Sequence, residues 1–514
     1  MVNIIKTATA IGINAYEVSV ETDVVNSLPA MSIVGLPDAS INEARDRVRS
    51  AIKNSGYSFP SKKVVVNLAP ADLKKIGTSF DLPIAIGILT EEEVLDSEKL
   101  KDYAFIGELS LDGTIRAVAG VLPLVLGLKE VGIKNVIVPK ENAKEAALNG
   151  EANVYGATHL TDVVNHFIET KITPTIVDVN AYLNSQTNQN YPFDFKDVKG
   201  QHKAKKALEI AAAGGHNLLM IGSPGSGKTL MAKCFASILP PLELSEALEL
   251  TKIYSICGLL PTDEPLMVKR PYRSVHHTAS ANGIIGGGSS PKPGEITLAN
   301  RGVLFLDEMV EFPRQVLEVL RQPLEDGEIV ISRAKHSVKY PAKFMLLGAM
   351  NPCPCGFLGD KEKQCTCSDF QINRYLSKLS GPLLDRIDIQ VDVPRLTPTE
   401  LLATTEIEED SATIRKRVIA ARKIQAIRYK NDNILTNSEL TSELIKKYCQ
   451  LDSKSQELMK IAIVKYQLSG RRYDRVLKLA RTIADLANSE NIQQIHLMQA
   501  LQYKMFNIEN YTNK

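Results

Sequence analysis

The segment HNLLMIGSPGSGKTL at 216–230 joins a glycine-rich turn to the strand and helix that such a turn needs. This combination restricts the surrounding chain to a nucleotide-binding α/β core. Gly222, Gly227, Lys228 and Thr229 satisfy G-x-x-x-x-G-K-[ST]. The apolar run Leu218–Ile221 predicts a buried strand before the turn, and helix formers follow from Leu230 to Leu239. Loop N–H groups and a helix N-terminus then converge on one point, which suits an anionic phosphate. The reading predicts ATP contacts from Gly222, Ser223, Pro224, Gly225, Ser226, Gly227, Lys228, Thr229 and Leu230. Lys228 would reach the β and γ phosphates, and the Thr229 hydroxyl would ligate Mg²⁺.

A phosphate loop of this kind calls for a second strand ending in acids. Val303–Leu306 supplies four apolar residues, followed at once by Asp307 and Glu308. In α/β sheets ligands gather at the carboxyl ends of strands, so Asp307 is expected to hold Mg²⁺ through water and Glu308 to orient and activate the attacking water. The predicted strand Met345–Ala349 leads to Asn351, whose amide would touch the same water and the γ phosphate. Arg386, in GPLLDRIDI, follows a short helix; in ring ATPases such an arginine reaches the neighbouring subunit's γ phosphate. Arg471 and Arg475, in SGRRYDRVLKLARTIADL, are candidates for a lid arginine that contacts nucleotide.

At 514 residues the chain exceeds one core, and its length suggests about three domains. No apolar run approaches the roughly 18 residues of a membrane span, and the N-terminus lacks the plan of a signal peptide. A cytoplasmic protein without membrane contact is expected. The net charge of +2 does not by itself announce nucleic acid, so any DNA contact requires local positive charge. Ser411–Lys430 carries seven Lys and Arg and no acid; it reads equally well as a DNA-binding face or a solvated helix.

Residues 1–168 alternate predicted strands and helices and read as one α/β domain. Its strands fall at Tyr16–Val24, Met31–Val34, Lys63–Leu68 and Val136–Val138, with a buried helix at Asp81–Leu89. Ser40–Glu43 reads as a capping box, and Asp112-Gly113 as a hairpin turn. Residues 169–192 are polar and read as a linker. Residues 193–397 form the nucleotide-binding core, and 398–514 have helical periodicity and read as an α-helical lid.

Seven cysteines in a reducing compartment argue against a disulfide framework. Cys353, Cys355, Cys365 and Cys367 form C-x-C-x9-C-x-C, an insertion at 353–367 that directly follows Asn351. Four thiolates suit tetrahedral Zn²⁺; an iron–sulfur centre or a redox pair is the alternative. His276 and His277 read as loop or interface residues rather than ligands.

FKDVKGQ at 195–201, SPGSGKT, PGEITLANRGVLFLDE at 293–308, RQPLEDGEIVISRAK at 321–335, MNPCPCG at 350–356 and GPLLDRIDI together resemble the magnesium-chelatase-like AAA+ proteins of the ComM/YifB type. The resemblance covers essentially the whole chain. It implies an AAA+ ring, a homohexamer, and an ATP-driven helicase that migrates DNA branches during recombination in natural transformation. EIVISRAK also resembles a pore hairpin of the MCM helicases, which implies sequence-independent contacts to branched or forked DNA from Arg333 and Lys335. The first domain resembles the proteolytic domain of Lon, with Ser79 near the nucleophile's place. The place of the lysine base falls in Ala119–Leu124, which holds no base, and Lys129 lies further along and is expected to face solvent. A hydroxyl without a base is a weak nucleophile, so the resemblance implies that fold without peptidase chemistry. The rivals are a chelatase-type motor that remodels a protein partner, a Lon-like protease, and a scaffold without catalysis.

Overall fold

A computed structural model describes residues 3–184, 191–261, 263–288, 292–332, 337–360, 362–397, 400 and 408–504. It is a mixed α/β protein that divides into two compact units, Met1–Thr187 with Glu243–Val268, and Asn188–Leu242 with Lys269–Lys514. The stretch Glu243–Val268 lies within the span read from sequence as ATPase core, yet it folds with the first unit. The second unit contains the phosphate loop and the C-terminal helices together.

The first unit is built on β1 (Asn3–Ile11), β2 (Asn14–Val25), β3 (Ala30–Val34), β4 (Lys63–Ala69), β5 (Tyr103–Phe105), the small hairpin β6 (Glu108–Leu109) and β7 (Ile115–Arg116), then β8 (Asn135–Pro139) and β9 (Asn153–Ala157). Seven of these form one sheet in the order β3-β4-β2-β1-β5-β8-β9. Strand alternation sends Ile5 into the core on one face and Ala8 into the core on the other. Helices Ala39–Asn54 and Asp81–Glu91 cover the first face, and Val121–Glu130 contributes to the second.

Two local expectations are corrected. The first helix begins at Ala39, and its cap is Asp38, which accepts from Ile41 N at 3.0 Å, rather than Ser40. A carboxylate is the stronger acceptor, and Asp38 also takes Gly77 N at 3.2 Å, which ties the helix start to a second loop. Asp112-Gly113 does not make a two-residue turn: β6 and β7 pair through Leu109 and Ile115, leaving Ser110–Thr114 as the connection, with Gly113 at φ 93°.

The excursion Glu243–Val268 supplies the helix Leu244–Ile256, which packs on Val121–Glu130. Its anchor is polar. Glu145 is buried and accepts from Leu122 N at 3.0 Å, from Asn142 Nδ2 at 3.2 Å and from the Ser255 hydroxyl, while Gly120 N donates to Ser255 O at 3.0 Å. Burial raises the Glu145 carboxyl pKa against the pull of these donors.

In the second unit β10 (Leu218–Ile221), β11 (Tyr272–Val275), the minor pair β12 (Gly286–Gly287) and β13 (Lys292–Pro293), β14 (Val303–Leu306), the hairpin β15 (Glu328–Ser332) and β16 (Ser337–Pro341), β17 (Met345–Met350) and β18 (Ile389–Asp392) follow in chain order. The main sheet runs β11-β14-β17-β10-β18 with every pair parallel. Every residue of β10 and β14 is buried, the signature of a parallel sheet covered on both faces. The helices Ser411–Arg428, Ser442–Tyr448, Ser453–Tyr466, Gly470–Leu486 and Gln494–Lys504 make up the C-terminal region.

The basic helix Ser411–Arg428 is in part structural. Arg417 pairs with Glu209 and Glu409, Arg422 donates to Ala212 O at 3.0 Å, and Arg428 donates to Asp485 at 2.5 Å. Among the described residues no helix is long and apolar enough to cross a membrane.

Candidate ATPase site and cysteine centre

Parallel register brings the chemistry to one edge of the sheet. Met220 of β10 pairs with Ala349 of β17, Leu306 of β14 with Gly348 of β17, and Val275 of β11 with Leu306. The residues just past these strands, Gly222, Asn351, Asp307 and His276, therefore emerge side by side.

The loop Gly222–Gly227 leads into the helix Lys228–Phe235. Gly225 and Gly227 hold φ values of 78° and 91°, and a Cβ on either would meet nothing within 4 Å. The turn thus has the backbone freedom and the open space that a phosphate group requires. Lys228 is 8% exposed, and its ammonium donates to Gly222 O at 2.7 Å and Ser223 O at 2.9 Å, with Asn351 Oδ1 at 3.4 Å. Burial pulls its pKa down to about 8, against the opposing attraction of Asp307 and Glu308. Thr229 donates to Asp307 Oδ2 at 2.7 Å, so hydroxyl and carboxylate face a common point, as oxygen ligands of Mg²⁺ would. Leu230 is half-buried and packs against the core below. Gly222 admits no side chain, because a Cβ would stand 2.0 Å from Val393 O.

Glu308 occupies the left-handed region at φ 49°, ψ 46°, an uncommon conformation for a residue with a side chain. Its carboxylate lies 3.6 Å from His277 Nδ1. His277, read from sequence as a loop residue, is therefore a neighbour of the predicted water-activating group. No local pattern announces it. It follows β11, and only the β11–β14 pairing carries it across to Glu308.

The three candidate arginines are paired with other groups. Arg386 is 7% exposed; it donates to Pro382 O at 2.7 Å and pairs with Glu325, while its Nε–H is buried without an acceptor among the described residues. Arg471 approaches the same Glu325 carboxylate at 3.4 Å. Arg475 instead pairs with Asp388 at 2.7 Å. Among the described residues none of the three bonds to Lys228, Asp307 or Asn351. Arg333 and Lys335 fall outside the described residues, on the span between β15 and β16.

The four cysteines come together, with every Sγ within 4.8 Å of the others. Cys353 stands 3.4 Å from Cys355 and 3.7 Å from Cys365, and Cys355 stands 3.5 Å from Cys365. A tetrahedron of sulfurs about 2.3 Å from a central Zn²⁺ has edges of about 3.8 Å, so the donor set fits a metal ion. Burial opposes ionisation of Cys355, yet the N–H groups of Phe357 and Thr366 and the Cys353 and Cys367 thiols bring its pKa down to about 6.

In the first unit Ser79 is buried on the loop before helix Asp81–Glu91. Lys129 is partly exposed and forms an ion pair with the exposed Glu151 at 3.0 Å. Lys75 is wholly buried, with its ammonium on the Pro70 carbonyl.

Family comparisons agree with this architecture. The chain matches the model described as "Magnesium chelatase, subunit ChlI" over residues 194–401. It matches "Subunit ChlI of Mg-chelatase" over 20–142 and "Magnesium chelatase, subunit ChlI C-terminal" over 408–504. It is 43% identical over 506 residues to the uncharacterized protein YifB of Escherichia coli K12, covering 98% of this chain and 97% of the relative. YifB of Salmonella typhimurium is 42% identical over 506 residues, with 98% and 96% covered. The competence protein ComM of Haemophilus influenzae is 42% identical over 503 residues, with 98% and 97% covered. A parallel sheet with its phosphate loop, a paired-acid strand separated from the loop's strand only by β17, a helical C-terminal region and near-complete coverage at this identity make the chain a magnesium-chelatase-like AAA+ protein of the ComM/YifB type.

Proposed function

We propose that the chain is a cytoplasmic ATPase that assembles as a homohexameric ring and drives the movement of branched or forked DNA in recombination during natural transformation. The observation that carries the reading is the meeting of Lys228, Thr229, Asp307 and Asn351 at one sheet edge, while Arg386 and Arg471 lie together on Glu325. In this reading a site with its own lysine and acids takes its arginine from a neighbouring copy in a ring. The similarity to a competence protein supports the recombination role.

In this reading Lys228 and the loop N–H groups bind the phosphates. Thr229 and Asp307 hold the Mg²⁺ that accompanies ATP, which supplies charge neutralisation at the phosphates. Glu308 takes the proton of the attacking water and Asn351 orients it. Arg386 of the adjacent subunit stabilises charge on the transferring group, and Arg471 or Arg475 answers nucleotide state through the lid. Arg333 and Lys335 contact the DNA backbone. The four cysteines hold structural Zn²⁺.

A chelatase-type remodelling ATPase is the second reading, favoured by the names of the three matching family models. Turnover of ATP with and without a four-way DNA junction at low salt separates the two. The DNA motor is expected to accelerate at least about tenfold on the junction, a change of about 1.4 kcal/mol in the barrier. Turnover indifferent to DNA would overturn it in favour of a protein substrate.

A further inference from the structure

The cysteine insertion leans on the phosphate loop. β17 and β10 are neighbours, so the chain leaving Asn351 begins beside Gly222. Asp360, midway between the two cysteine pairs, accepts from Ser223 Oγ at 2.7 Å through Oδ2. Its Oδ1 accepts from Glu362 N at 2.9 Å and Lys363 N at 3.1 Å, which fixes the carboxylate within its own loop. Arg395 lies 3.8 Å away, and the Asp360 side chain is 2% exposed. Gly356, next to Cys355, makes the second contact. It sits at φ 84°, and a Cβ there would stand 2.6 Å from Pro224 Cδ, so backbone packs directly on the phosphate loop. The Lys363 ammonium and the Arg395 guanidinium lie 5.1 Å and 5.6 Å from the centroid of the Phe357 ring.

Both contacts on Ser223 and Pro224 thus come from residues enclosed by the cysteine pairs. Closing Cys353–Cys367 on a metal removes chain entropy from this segment before any nucleotide arrives. A segment already held in place presses on the phosphate loop without the ordering penalty that an open one would carry. We propose that Asp360 is a positioning residue that couples the cysteine centre to the phosphate loop, so that metal occupancy strengthens ATP binding and ATP strengthens metal retention. Linkage requires the two effects to be the same factor. The hydrogen bond from a neutral hydroxyl to an ionised carboxylate is of the stronger kind, and these donors, Ser223 first among them, keep the Asp360 pKa down at about 2, so it stays ionised at working pH.

The inference rests on reading Gly222–Thr229 as an ATP loop and the cysteines as a metal site, and its test keeps the three claims apart. Full-length chain carrying Glu308→Gln, to prevent turnover, is prepared with Zn²⁺ and again after stripping. ATP affinity is measured by calorimetry on both, and Zn²⁺ release to a chromogenic chelator is measured with and without ATP. Zn²⁺ is expected to tighten ATP binding about tenfold, and ATP to slow net Zn²⁺ loss to an equilibrium shift of the same size. Asp360→Ala should abolish both effects while leaving about one Zn²⁺ per chain. Asp360→Asn, which keeps an acceptor for Ser223, should restore part of the coupling, a rescue that a merely structural role would not produce. Equal ATP affinity with and without Zn²⁺, or full coupling in Asp360→Ala, overturns the proposal and leaves the ATPase reading intact. Zn²⁺ binding with no ATP binding in either preparation overturns the ATP reading and this proposal with it; a chain that takes up no Zn²⁺ overturns the metal reading in the same way.

Discussion

Arg386 and Arg471, 85 positions apart in sequence, meet on one carboxylate: Arg386 hydrogen-bonds to Glu325, and Arg471 forms an ion pair with it at 3.4 Å. One acid therefore contacts the residue proposed to act across a subunit boundary and a residue of the C-terminal helix Gly470–Leu486. Arg386→Ala should bind ATP normally and lose turnover by about 10³-fold. If its partner site belongs to a neighbour, mixing Arg386→Ala with Lys228→Ala chains should recover measurable turnover, since some interfaces combine an intact lysine with an intact arginine. Mixtures as inactive as either variant alone would place the arginine in its own site.

Glu308→Gln is expected to keep ATP affinity and lose about 10²–10⁴ in kcat, the range for removing a general base. His277→Ala should lower kcat by a smaller factor with ATP affinity unchanged, because His277 acts through Glu308 at 3.6 Å. Near-normal hydrolysis by Glu308→Gln, followed by single-turnover assay, would remove it from the role of base.

The depressed pKa of Lys228 sets a pH window. Between its folded value of about 8 and the ordinary lysine value of 10.5, the unfolded chain binds the proton and the native chain does not. Native stability therefore gains from this group as pH rises through that window, and loses it as pH falls through 8. ATP binding runs the other way: a neutral amine cannot pair with phosphate, so affinity should hold up to pH 8 and then fall by up to about tenfold per unit. Calorimetric titrations from pH 7 to 9.5 check this, with Lys228→Met expected to lack the dependence.

Glu145 predicts a folding effect within the first unit. Glu145→Ala leaves Leu122 N and the Ser255 hydroxyl without their buried acceptor. A loss of about 2–4 kcal/mol is expected, visible as a lower denaturation midpoint and as faster proteolytic cutting within Glu243–Val268. Unchanged cutting would show that the apolar contacts of helix Leu244–Ile256 alone hold this segment.

What the chain's sequence determines here is local. The phosphate loop requires its strand before and helix after. The run Val303–Leu306 must be buried and must end at Asp307 and Glu308. The C-x-C pairs must lie on a short loop after Asn351. Each follows from residue spacing measured against a fixed period, so neighbouring residues suffice to fix it.

Tertiary structure decided the rest, because the contacts in question join residues far apart in the chain. Nothing near His277 points to Glu308 until β11 pairs with β14. Asp360 is an ordinary loop acid until β17 lies beside β10 and brings it to Ser223. Asp38 rather than Ser40 caps its helix because Gly77 also needs an acceptor there. Glu243–Val268 looks like more of the core in one dimension, yet it buries Ser255 against Glu145, more than a hundred residues earlier. Strand register and the satisfaction of buried polar groups made these choices, and both are properties of the assembled sheet and not of any single segment.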